Sequence, residues 1–158
     1  MEPQGAPIVT AQMLIRKPVE KVFDAFINPA VTTLFWFSKS SGPLEAGREV
    51  LWEWEGLGAS AVVRVQEIEP CLRILIEWDD PPCPVEWLFT PYEEQGTLVR
   101  ISNWGFKGSA DEVMTQALDA KGGFTMVLAG AKALLEHGIV LDLVGDQYPE
   151  RVLRAFPA

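Results

Sequence analysis

Apolar and polar positions alternate along most of this chain, and two stretches depart from that alternation with helical spacing. From Ile8 to Ile15 the residues are apolar or β-prone, with Thr10 and Gln12 between them, which predicts a first strand. Lys17-Pro18 opens a helix, with Pro18 in its first turn where a missing N–H costs nothing. Val19, Val22, Phe23, Phe26 and Ile27 recur at helical spacing. Asn28-Pro29 ends that helix, because a residue before proline avoids helical backbone. A second short helix is expected from Ala30 to Phe37, burying Val31, Leu34 and Phe35. Ser38 to Gly47 is polar and contains Gly and Pro, so it reads as a loop.

Strict alternation then begins. Arg48 to Glu55 sets Val50, Trp52 and Trp54 against Glu49, Glu53 and Glu55, and Gly56-Leu57-Gly58 is a turn. Ala59 to Glu69 follows, with Ala61, Val63 and Val65 on one face and Pro70 closing it. Leu72 to Asp79 puts Leu72, Ile74, Ile76 and Trp78 together. The run Asp80-Pro81-Pro82-Cys83-Pro84 is excluded from strand interior by its prolines. Val85 to Pro91 aligns Val85, Trp87 and Phe89, and Gly96 to Trp104 gives the sixth strand. Short connections between alternating runs predict an antiparallel meander.

At Ser109 the period changes again. Ser109 and Glu112 have the spacing of a capping box, which satisfies two orphan N–H groups at a helix start. Val113, Ala117, Ala120, Phe124, Val127, Leu128, Ala131 and Leu135 form one stripe of a long helix, and His137-Gly138 fits its end. Beyond it, a short helix is expected around Glu150 to Phe156. The domain reading is a flexible tail over 1–7, one domain over 8–145 and a C-terminal tail over 146–158. A curved antiparallel sheet and a helix with one apolar stripe bury both surfaces when the helix lies across the concave face. The fold class is therefore α+β.

Composition narrows the partners. A net charge of −9 with no basic run argues against nucleic acid and anionic membranes. No apolar stretch approaches the roughly 20 residues of a spanning helix, and the first residues lack a secretory pattern, so a cytoplasmic protein is expected. Cys71 and Cys83, with the single His137, do not have the spacing of a metal site, and no cofactor is called for. Both cysteines read as thiols of a reducing compartment, although spacing leaves a disulfide between them open. Gly42 to Gly47 lacks the Gly-Lys-Ser/Thr ending of a phosphate loop.

The opening strand, the run Lys17-Pro18-Val19-Glu20-Lys21-Val22-Phe23-Asp24-Ala25-Phe26 and then Trp36-Phe37 resemble the SRPBCC, or START-like, superfamily. The nearest branch is that of the heat-shock-protein ATPase activator homologues. Val65-Gln66-Glu67-Ile68-Glu69-Pro70, Trp104-Gly105-Phe106, Gly122-Gly123-Phe124 and Ala131-Lys132-Ala133-Leu134-Leu135-Glu136-His137-Gly138 carry the same resemblance, which spans roughly residues 8–145. Gly123-Phe124 departs from the Gly-Trp usual there. The resemblance implies a helix-grip fold: a curved six- to seven-stranded antiparallel sheet around a long C-terminal helix, with two short helices after the first strand and an internal hydrophobic cavity. Its members include lipid and hormone binders, polyketide cyclases, toxin–antitoxin partners and stress-associated proteins.

Trp36, Phe37, Trp52, Trp54, Trp78, Trp87, Phe89, Trp104, Phe124 and Leu128 are the residues expected to line such a cavity, with Asn103 as the polar group that orients a ligand. The same rings could instead fill the space. Gly122-Gly123 reads either as close packing of helix on sheet, the favoured reading, or as a surface cleared over a pocket. Glu53 and Glu86 lie opposite the tryptophans of their own strands and read as surface charges; His137 reads as a complement to the helix dipole. Three functions stay open: a binder of an apolar, aromatic or lipid-like small molecule, a cyclase or hydrolase using the same cavity, and a module that docks on a chaperone. Acidic single domains of this kind often form homodimers, and no interface is readable.

Overall fold

The computed structural model describes residues 6–149. The strand β1 (Val9–Ile15) leads into α1 (Val19–Ile27) and α2 (Pro29–Thr32). Six strands follow: β2 (Lys39–Ser40), β3 (Glu49–Trp54), β4 (Ala59–Glu69), β5 (Arg73–Trp78), β6 (Cys83–Tyr92) and β7 (Gly96–Asn103). The long helix α3 (Ala110–His137) and the short α4 (Leu143–Gln147) close the chain. The strands form one antiparallel sheet in the order β1-β7-β6-β5-β4-β3-β2. This is the helix-grip architecture, with α3 lying chiefly on β1.

The alternation of the sequence becomes the two faces of this sheet. Val50 and Trp52, Val63 and Val65, Ile74 and Ile76, Val85, Trp87 and Phe89, and Val99 and Ile101 all point into the core. Burying such side chains stabilises the fold by about 1.5–3 kcal/mol each relative to exposure. The helix α3 begins at the capping box: Ser109 Oγ accepts from Glu112 N–H at 3.2 Å, and Glu112 Oε1 accepts from Ser109 N–H at 3.1 Å. It ends at Gly138, whose φ of 66° is left-handed backbone.

Several local expectations give way. Pro18 precedes α1 as its cap residue, with extended backbone, instead of sitting in the first turn. The second helix stops after one turn, because Thr32 and Thr33 turn their hydroxyls back onto the carbonyls of Asn28 and Pro29 at 3.0 and 2.7 Å. A hydrogen-bonded turn over residues 33–35 follows, with Trp36 N–H donating to the Thr32 carbonyl at 3.0 Å; Phe35 and Phe37 are buried while Leu34 is exposed, and the expected loop contains β2. Leu72 falls before β5 and is exposed. Pro84 does lie in β6, paired with Glu77, where the loss of one N–H near a strand end is tolerated. Its carbonyl is fully used, accepting from Asn103 Nδ2 at 2.8 Å and Trp104 N–H at 3.2 Å. The helix expected around Glu150 to Phe156 lies outside the described residues.

One polar clamp fastens the end of α3 to β1. Lys132 Nζ donates to the Leu14 carbonyl at 2.7 Å and to Glu136 at 2.5 Å, and Glu136 also accepts from Arg16 N–H at 2.8 Å. Burial alone would raise the Glu136 carboxyl, but the hydrogen bonds from Lys132 and Arg16 outweigh it and hold the group below the ordinary glutamate range. A carboxyl depressed in the fold stabilises it above the unfolded pKa, and that contribution fades as pH falls through the folded value. Glu136→Gln is expected to cost about 2 kcal/mol near neutral pH. Urea unfolding should show that difference shrinking as pH falls below the ordinary glutamate range.

Candidate functional site

The concave face of the sheet is occupied by rings. Trp36 leaves the end of α2 and meets Phe37, Trp52, Trp54, Trp78, Trp87 and Phe124 at centroid distances of 4.8–6.5 Å. Phe37 stacks on Trp52 at 4.5 Å and 13°, and Trp78 stacks on Phe124 at 6.1 Å and 15°. Phe37, Trp52, Trp87, Phe89 and Leu128 are wholly buried in this packing and serve as core. The deep interior is thus filled, and open space begins only at the edge of the cluster.

That space is a groove of about 410 Å³ between α3, α4 and the outer rings. Trp36, Trp78 and Phe124 form its apolar wall, and Asn103 is its buried polar group. Leu118, Asp119, Ala120, Gly122, Gly123 and Val127 contribute from α3, and Val144, Gln147 and Tyr148 from α4 and its end. An adjoining hollow of about 330 Å³ shares Trp78, Asn103, Asp119 and Ala120, and adds Trp54, Asp79 and Cys83. The two together run under the N-terminal half of α3.

The expected cavity residues therefore separate into groups. Trp36, Trp78, Asn103 and Phe124 border the groove, and Trp54 borders its extension. Phe37, Trp52, Trp87, Phe89 and Leu128 lie behind them. Trp104 is a correction: it follows the end of β7, is only half-buried and borders neither hollow. The residues of α4 were not anticipated, because the sequence there carries no periodicity that marks a helix. The signal that could have found the groove was the glycine pair. A Cβ at Gly122 or Gly123 would meet nothing within 4 Å, so these glycines clear space and do not pack closely. Close packing belongs to Gly130, whose Cβ would lie 3.2 Å from Phe35 Cβ and 3.3 Å from its carbonyl oxygen.

The polar chemistry is sparse. Asn103 Nδ2 donates to the Pro84 carbonyl and to Cys83 Sγ at 3.3 Å; a carbonyl can only accept, so Nδ2 is fixed as the nitrogen. Cys83 in turn donates to the Trp104 carbonyl at 2.9 Å. Burial pushes the Cys83 thiol up, with the Asn103 hydrogen bond opposing it, which disfavours the reactive thiolate. Asp79 and Asp119 stand at exposed positions. Trp87 Nε1 is the one fully buried side-chain polar atom without a partner among the described residues. No group of three or more His, Cys, Asp or Glu there is placed to hold a metal, and no helix is long and apolar enough to cross a membrane.

A seven-stranded sheet gripping a long helix, with a ring-lined groove at their junction, defines a protein of the SRPBCC superfamily. The chain belongs to the family described as Activator of Hsp90 ATPase homolog 1-like protein, which it matches over residues 16–136. Among solved structures it is similar to a Staphylococcus saprophyticus protein, with 28% identity, a TM-score of 0.74, and coverage of 85% of this chain and 96% of that one. The Aha1 dimer from Colwellia psychrerythraea shares 15% identity with a TM-score of 0.71, covering 84% and 98%. DynU16, from the dynemicin biosynthetic locus, shares 20% with a TM-score of 0.70, covering 84% of this chain and 48% of that one. No curated protein matches.

The glycines give a contrast in stability. Gly122→Ala is expected to stabilise the fold by up to about 1 kcal/mol, through helix propensity in open space. Gly130→Ala, pressed on Phe35, is expected to lose stability instead; thermal unfolding of the two variants checks the opposite signs.

Proposed function

We propose that this protein binds an apolar, aromatic small molecule in the groove between α3, α4 and the ring cluster. The observation that carries this reading is the pair Gly122-Gly123, which spends helix propensity to keep a surface open above Trp36, Trp78 and Phe124. Rings facing a half-open space offer stacking and edge-to-face partners to a planar guest. Cys71 and Cys83, both free, support a reducing, cytoplasmic setting. A cyclase or hydrolase at this groove would have to work with the exposed Asp79 and Asp119 or with a thiol that burial keeps protonated, which supports binding over turnover.

A second reading has its own observation. Met114, Leu118 and Met126 lie along one exposed face of α3, and Ile139, Val140 and Leu141 are exposed just beyond its end. Apolar surface of this kind suits a protein partner, a chaperone or a second copy of this chain. Met114→Glu with Met126→Glu would weaken such an association without touching the groove, whose lining includes neither residue.

Titration with planar aromatic compounds is expected to quench tryptophan emission and raise the melting temperature; saturation at 100 times Kd corresponds to about 2.7 kcal/mol. Gly123→Leu should leave the fold intact and abolish both responses. Equal responses in the variant would rule out the groove as the site.

A further inference from the structure

Asn103 is 2% exposed, and β7 holds it between Val9 and Val85 on the neighbouring strands. Its Nδ2 is committed to Pro84 and Cys83, whereas its Oδ1 has no hydrogen-bond partner among the described residues. That oxygen is not sealed in protein, since Trp87 Nε1 alone is both fully buried and unpartnered there. Asn103 borders both hollows, so Oδ1 is an acceptor offered to whatever enters them. A guest that covers this oxygen without donating to it would leave it unpaired, at a cost of about 1–3 kcal/mol, and a guest that donates avoids that cost.

The charged residues that line the two hollows are both acidic, while Lys107 and Arg64 stand outside the lining, near Cys83 and at the Asp79 carbonyl. Asp119 borders both hollows and Asp79 the second, while neither contains a lysine or arginine among its described lining residues. Lys121, the nearest cation on α3 in sequence, is turned to the Thr10 carbonyl on β1. A carboxylate or phosphate entering here would lose water, meet like charge and find no cation in the lining to pair with.

Resting on the binding function proposed above, we propose that the guest is an uncharged aromatic donor: a ring carrying a hydroxyl or N–H, of the phenol or indole type. Its ring lies against Trp36, Trp78 and Phe124, its donor hydrogen goes to Asn103 Oδ1, and anionic aromatics and fatty acids are rejected. Specificity then comes from leaving the acceptor unpaired when the donor is missing.

Three probes on one ring test this by calorimetry on the full chain: 2-naphthol, 2-methoxynaphthalene and 2-naphthoate. A single neutral hydrogen bond corresponds to roughly a fivefold preference for 2-naphthol over its methyl ether. The carboxylate is expected to bind weakest and to recover in part in Asp119→Asn, an exposed position where the fold is not at stake. Asn103→Ala should level the naphthol and its ether while ring binding persists. The wild-type comparison decides the matter even if that variant fails to fold. If the naphthol and its ether bind equally, or the carboxylate binds as well as either, the assignment is overturned and the groove as a binding site survives. If no probe binds, the groove reading falls, and this inference with it.

Discussion

Everything in this structure depends on how the gap between a curved sheet and a straight helix is filled. The sheet recedes from α3 as it curves, and small aliphatic side chains would leave voids across that distance. Trp36 meets the requirement from an unexpected direction. It enters from the link after α2, not from the sheet or the long helix, and rests on the stacked Phe37 and Trp52. Phe124 descends from α3 to meet Trp36 and Trp78. The ring cluster sets the spacing of the two layers, and the groove is what remains where the rings stop.

The packing also explains why relatives can differ so widely in sequence. What the fold asks for is inward apolar bulk at every second strand position and one long capped helix. Many residue combinations satisfy that demand, which is why 15% identity is enough for a TM-score of 0.71. Function does not follow from it, because the groove is built from the residues the fold leaves free.

The elements were legible for physical reasons. Val50, Trp52, Val63, Val65, Ile74 and Ile76 declare their face by period-two spacing, and Ser109 with Glu112 marks the start of α3 to the residue. The site was legible only in half. Trp36, Trp78, Asn103 and Phe124 stood out by type, but type could not separate them from Trp52 and Trp87, which have the same chemistry and no access to the groove. Trp104 was misleading because it follows the end of β7, where alternation no longer assigns a face. Val144, Gln147 and Tyr148 had no signal at all: which wall a short helix supplies is decided by a chain reversal with no periodicity of its own.

The fastening of α3 is uneven. Phe124, Val127, Leu128, Gly130, Ala131 and Leu135 are buried in its C-terminal half, where Lys132 and Glu136 are tied to β1. Ahead of Lys121 only Ala117 is buried. Mechanically the helix is a cantilever, clamped at one end, with its two most compliant residues, Gly122 and Gly123, where the support begins. Its free arm forms the roof over the groove. A guest bound under the proposed function would bear on this lightly packed arm, away from the buried residues that hold the helix to the sheet.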